Sequence, residues 1–180
     1  MSCHQKSDTL VTTFSRMNPP TCGHLKIFEK ASTYKCDVKL HLSQTTNLKN
    51  PLSLDRKIYY LSLLVPEYIS LIDINPNIKS LFDIPKLYNT VYKNLIILCG
   101  SDRLMEYQTQ LNRYNGSLYN FDSITVISIG DRDNFISASN ARKAVLENDI
   151  NTFNSIVIGN NLDIKLKMYN EINKWTDEKK

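Results

Sequence analysis

A chain of 180 residues, 42% of them hydrophobic, is long enough for one domain with a sizeable core. Its net charge of +4 comes from scattered lysines rather than a dense basic run, which argues against a nucleic-acid-binding surface. Four cysteines with no C-x-x-C pair and no zinc-finger spacing point to reduced thiols in a cytosolic setting. The polar opening MSCHQKSDT and the lack of a long apolar run argue against a signal peptide and a membrane span.

In chain order, LVTTFS (Leu10 to Ser15) is short, β-branched and aromatic, and predicts a strand. Two prolines stop it. Gly23 to Tyr34 has helical spacing through Leu25, Phe28 and Ala31. DVKLHLS (Asp37 to Ser43) alternates Val38, Leu40 and Leu42 and predicts a second strand. After the polar loop QTTNLKNP, Ser53 is an N-cap and Asp55 a first-turn acid for a helix over LDRKIYYLSLL. YISLIDI (Tyr68 to Ile74) predicts a third strand, and Pro85 the start of a helical segment running to about Tyr92. NLIILCG, nearly all apolar, predicts a strand covered on both faces. A helix follows from Ser101 to Asn115-Gly116. SITVISIG predicts a fifth strand, SNARKAVLE a short helix and NLDIKLKMYNEINKW a closing one.

Strands alternating with helices predict an α/β fold with a doubly wound parallel sheet. No repeat, low-complexity tract or linker divides the chain. A single domain is expected over 1–180, with a core over 10–149 and a C-terminal helical segment over 150–180. In such sheets ligands bind beyond the carboxyl ends of the strands. The segments after the first, fourth and fifth strands are NPPTCGH, GSDR and GDRDNFISAS, and they carry the functional weight.

In TCGH, Gly23 and His24 fall in the first turn of a helix, where N–H groups point outward and attract anions. Glycine lets a phosphate approach closely. Thr21 and His24 add side-chain donors. Alone, this pattern is equally a capped proline turn with a surface histidine. In ISASNAR, Ser137 or Ser139 caps a second helix and Arg142 falls on its first turn or just past it. The two helix starts together make a phosphate clamp with donors from both sides. Cys22 is read as filling a gap beside the helix start, although a nucleophilic role is conceivable. His4 and His41 have no partners in sequence and are read as structural. No P-loop, hydrolase elbow or zincin pattern is present.

Thr21, Gly23 and His24, together with Ile136, Ser137, Ser139 and Arg142, resemble the paired signatures T-x-G-H and I-S-x-S-x-x-R of the H-I-G-H-type nucleotidyltransferases. That superfamily includes nicotinamide-mononucleotide, phosphopantetheine, cytidylyl and FAD-forming enzymes. Over roughly Thr12 to Asp149 the chain looks most like the small nucleotidyltransferases of tailed bacteriophages and large DNA viruses. The resemblance implies a three-layer, Rossmann-like sheet of strand order 3-2-1-4-5. It also implies transfer of a nucleoside monophosphate from a nucleoside triphosphate, with ATP as first choice, to a phosphorylated small-molecule acceptor such as nicotinamide mononucleotide. Cytidylyl transfer to a phosphorylated alcohol or sugar, and a non-catalytic nucleotide sensor, are the alternatives.

By the same resemblance His24, Thr21, Lys49 and Arg142 are the catalytic candidates. Lys49, in KNPLS, stands where a lysine approaches the triphosphate. Nucleotide-binding candidates are Phe14, Ser15, Arg16, Gly23, Gly100, Asp102, Arg132, Ile136, Ser137 and Ser139. Arg132 equally suits a salt bridge to Asp131 or Asp133. Mg²⁺ is expected as cofactor, held by phosphates and water rather than by a protein cage. A cytoplasmic site (the host's, if the protein is viral) is expected, with no membrane partner. The sequence leaves a homo-oligomer open.

Overall fold

The computed structural model describes residues 7–131 and 133–177. Its middle layer is one parallel sheet of β1 (Thr9–Ser15), β2 (Asp37–Leu42), β3 (Asn94–Cys99) and β4 (Ser123–Ser128), in the order β2-β1-β3-β4. These are the predicted first, second, fourth and fifth strands, and their relative order is the one expected. The predicted third strand is a correction. Pro66 opens a 3-10 helix over Pro66–Leu71, because its fixed φ and missing N–H suit a first turn better than a ladder. Residues 68, 69, 71 and 72 then fall at the three-residue period of that helix, and Tyr68 stacks on Phe28 with ring centroids 5.6 Å apart. All that remains of a strand is a parallel bridge from Leu40 to Ile72, with the Asp73 N–H donating to the Leu40 carbonyl at 2.9 Å.

Alternation along the strands splits the core between the two faces of the sheet. Val11, Leu40, Leu42 and Leu98 face α1 (Cys22–Ser32), α2 (Leu54–Leu64), α5 (Ala138–Leu146), α6 (Ile150–Ile156) and α7 (Leu162–Asp177). Leu10, Leu95, Ile97 and Val126 face α3 (Asp83–Tyr88) and α4 (Leu104–Tyr114). The result is three layers. No helix among the described residues is long and apolar enough to cross a membrane.

Local chemistry sets the helix ends. Ser53 caps α2, its hydroxyl accepting from the Arg56 N–H at 3.3 Å. The start of α3 lies at Asp83 rather than Pro85, because the Asp83 carboxylate gathers the N–H groups of Lys79 and Ser80 and the Ser80 hydroxyl. Ser101–Arg103 is a 3-10 turn that runs into α4. The expected C-terminal helical segment over 150–180 is two helices: a short α6 capped by Asp149, which accepts from the Thr152 N–H at 3.0 Å, and then α7.

Candidate active site

The ends of β1, β3 and β4 open onto one crevice of about 600 Å³. Its walls include NPPTCGH, GSDR and the loop into α5, the three segments singled out from the sequence. Phe14, Ser15, Arg16, Thr21, Gly23, His24, Gly100, Asp102, Ile136, Ser137, Ser139 and Arg142 all line it. Arg132 lies outside the described residues, as does His4. Lys49 is exposed on a turn closed by reciprocal Asn47 and Asn50 backbone bonds and is not a wall residue, whereas its neighbour Asn50, 7% exposed, is one.

One wall is the start of α1. Thr21 is its N-cap, and the Thr21 N–H donates to His24 Nδ1 at 2.9 Å. A backbone N–H can only donate, so Nδ1 is an acceptor and the neutral ring carries its proton on Nε2. The Thr21 hydroxyl lies 2.9 Å from the same Nδ1. Thr21, 2% exposed, therefore orients the histidine as well as facing the crevice. Sequence reading assigned His24 a donor role and did not foresee this reciprocal cap.

The facing wall is the start of α5. Ser137 is its N-cap and accepts from the Asn140 N–H at 3.1 Å. Arg142, half-buried, donates through Nη1 to the Asn18 carbonyl at 2.5 Å and through Nη2 to the Ser139 hydroxyl at 3.2 Å. Burial, and then the like charge of Arg16, hold its guanidinium below the ordinary arginine range. The two walls touch: a Cβ on Gly23 would lie 3.6 Å from the Ile136 carbonyl and 3.6 Å from the Thr21 hydroxyl. That is ordinary contact, so an alanine would fit there.

At the β3 end, a Cβ on Gly100 would come within 2.7 Å of Asp102 Oδ1, so the carboxylate folds over that glycine. Burial, and then Asp102, raise the Cys99 thiol to about 11, which makes it a poor nucleophile. Cys22, half-buried, lines the crevice, and its thiol lies 3.5 Å from the Val157 carbonyl.

Several wall or supporting residues escaped sequence reading. Lys26, Arg103 and Tyr107 line the crevice. Asn18, 1% exposed, exchanges hydrogen bonds with Leu52, donating from Nδ2 to its carbonyl at 2.8 Å and accepting from its N–H at 3.0 Å. Met17, fully buried, has φ +42°, a left-handed conformation that costs a non-glycine residue energy and clusters at functional sites. The residues at 157 and 158 pair with the proline turn, as a Thr21–Val157 bridge and an Ile158 N–H to Pro20 carbonyl bond at 3.4 Å. A lone Asn, Met or Val carries no local pattern that would mark these roles.

No family model matches the sequence, and no curated protein matches it. Solved structures resemble the fold. Nicotinic acid mononucleotide adenylyltransferase of Plasmodium falciparum, complexed with NaAD, superposes with a TM-score of 0.59 at 18% identity, over 90% of this chain and 97% of that one. The same enzyme complexed with APC gives 0.60 at 16% identity, over 92% and 97%. A bifunctional NMN adenylyltransferase/ADP ribose pyrophosphatase of Francisella tularensis gives 0.62 at 15% identity over 95% of this chain, which spans 53% of that protein. At these identities the likeness establishes a shared fold.

Proposed function

We propose that this protein is a nucleotidyltransferase that moves the nucleoside monophosphate of ATP onto a phosphorylated acceptor, nicotinamide mononucleotide being the leading choice. One observation carries the reading: the starts of α1 and α5 face each other across a single crevice, with His24 on one side and Ser139 and Arg142 on the other. Two helix N-termini and the converging Arg16 and Arg142 make this an anion site. A triphosphate needs such donors on both sides. The solved structures that share the fold are a nicotinic acid mononucleotide adenylyltransferase and a bifunctional NMN adenylyltransferase/ADP ribose pyrophosphatase.

An acceptor phosphate oxygen attacks the α-phosphorus. The new P–O bond forms as the bond to the bridging oxygen breaks, and its electron pair departs with pyrophosphate. With a second pKa of about 6, the acceptor phosphate is already largely ionised and requires no general base. The protein's task is alignment and charge stabilisation. His24 Nε2–H is the donor to the α-phosphate, held in that tautomer by the Thr21 N–H. Ser139 and Arg142 hold the β- and γ-phosphates, the guanidinium through its planar fork. Lys49, from its exposed turn, is proposed to reach the outer end of the same triphosphate.

Among the described residues no group of three or more His, Cys, Asp or Glu side chains could hold a metal ion. Mg²⁺ is proposed to enter with the nucleotide, its ligands drawn from phosphates and water. When bound it would offset negative charge on the leaving pyrophosphate.

The test is a pyrophosphate-release screen of ATP, CTP, GTP and UTP against phosphorylated acceptors. ATP with nicotinamide mononucleotide is expected to release pyrophosphate and form the dinucleotide. Nucleotide binding without release under any pairing would make the protein a sensor and overturn the enzymatic reading.

A further inference from the structure

We infer that Lys57 is a positioning residue for the triphosphate, acting through the backbone of residues 15–18; this rests on the nucleotide reading above. Lys57 sits on α2 and is fully buried, a costly place for a lysine unless its donors are used. Its Nζ donates to the Arg16 carbonyl at 3.1 Å and to the Ser43 carbonyl. Those two carbonyls lie just past the ends of β1 and β2, where the ladder has run out after the Ser43 N–H to Ser15 carbonyl bond at 2.9 Å. One side chain thus ties together the two strand ends where strand pairing no longer can.

The tied segment is the one that builds the crevice floor. Arg16 lines the crevice, Met17 takes the left-handed φ of +42°, and Asn18 presents the carbonyl that receives Arg142 at 2.5 Å. A strained residue persists only where its surroundings over-determine it. Here the surroundings are Lys57 on the carbonyl before Met17 and Leu52 on the carboxamide after it. Both come from α2 or its lead-in, and α2 itself is capped at Ser53. The chain is therefore wired from a buried lysine through Arg16 and Met17 to Asn18 and Arg142. Removing the lysine frees the 15–18 backbone and lets Arg142 lose its register on the outer phosphates.

Calorimetric titration with ATP and AMP, well below the melting temperature, tests this with Lys57→Met, which keeps the unbranched apolar stem and removes the donors. ATP affinity is expected to fall at least about tenfold, the scale of one lost charge-assisted or buried hydrogen bond, and AMP affinity much less. Lys165→Met is the control for a merely structural lysine, since Lys165 is also buried, at 4% exposed, but donates to the Asn154 carbonyl. It should lower the melting temperature and leave ATP affinity near wild type. If Lys57→Met fails to fold, Lys57→Gln, which keeps two N–H donors, should fold and show a smaller loss with the same ATP-over-AMP bias. Equal losses for ATP and AMP, or undiminished ATP binding in the folded variant, would overturn the inference alone. A wild-type chain that binds no nucleoside triphosphate would overturn the nucleotide reading, and this inference with it.

Discussion

His24 shows what a residue's neighbours add to its sequence context. TCGH after a strand was enough to place a histidine at a helix start, and the structure puts it on the crevice wall. The pattern could not show that Nδ1 is committed to the Thr21 N–H at 2.9 Å, because capping depends on backbone geometry as well as spacing. Under the proposed function the side chain has two jobs, the cap that the structure shows and the proposed donation to the α-phosphate, and His24→Ala should report both. Turnover should fall at least roughly 10²-fold, the scale for one preorganised donor to a transition-state oxyanion. Stability should fall by about 1 kcal/mol, the scale of a lost cap. Steady-state kinetics beside thermal melts separate the two, and normal turnover in a destabilised variant would leave His24 a cap only. Lys49 marks the opposite limit. KNPLS drew attention to the lysine, whereas the turn puts Asn50 in the wall and Lys49 in solvent. Which side of a turn a residue takes is settled by contacts such as the Asn18–Leu52 pair, and no short motif encodes those.

Elements were legible where a period and a cap agreed. Helix α2 begins at Leu54 after the Ser53 cap, as its sequence predicts. Where the cues conflicted, tertiary packing decided, and YISLIDI became a 3-10 helix with one bridge to β2. Beside that bridge, His41 of β2, 2% exposed, stacks on Tyr88 with ring centroids 6.0 Å apart, and its Nδ1 lies 3.9 Å from Asp73. Lys39 also lies 3.9 Å from Asp73, and the Tyr88 hydroxyl donates to the same carboxylate at 2.6 Å. Burial lowers the His41 pKa, and the opposing pull of Asp73 is the smaller effect. The folded state therefore takes up this proton later than the unfolded chain, whose histidine titrates near 6.5. Above that pH His41 contributes no slope. As pH falls below it the unfolded chain protonates first, and stability declines until the folded ring titrates too. Melting curves from pH 7.5 to 5 should show this decline in wild type and a shallower one in His41→Gln. Parallel curves for the two proteins would assign the acid sensitivity elsewhere.

At the scale of the whole molecule, the C-terminal segment braces the crevice from behind, lining none of it among the described residues. Phe153, Ile156, Val157, Ile158, Ile164, Met168 and Ile172 are buried in the same core as Val11 and Leu98. Arg56 and Tyr60 on α2 both bond the Glu171 carboxylate on α7, with Arg56 Nε at 2.8 Å. Val157 bridges Thr21 beside the start of α1. Helix α7 was legible from its apolar spacing. The strap at 157–159 was not, since its partners lie far away in the chain. Gly159 is the tightest point of that strap. Its φ is +79°, and a Cβ there would sit 2.7 Å from the Leu64 carbonyl, a backbone atom that cannot swing aside. Gly159→Ala meets both penalties, a left-handed backbone and a clash at the end of α2, and should cost about 2 kcal/mol or more. In a domain of this size that lowers Tm by roughly 4–8 °C. Because α2 also carries Lys57 and the strap also carries Val157, the same substitution should loosen both ends of the proposed anion site and weaken ATP binding at temperatures where the variant is fully folded. A control at Gly116, which has φ +87° with nothing within 4 Å of the added Cβ, separates backbone strain from packing. Gly116→Ala should lower Tm less and leave ATP affinity unchanged. Equal effects of the two substitutions on both readouts would mean that the strap holds the fold without shaping the site.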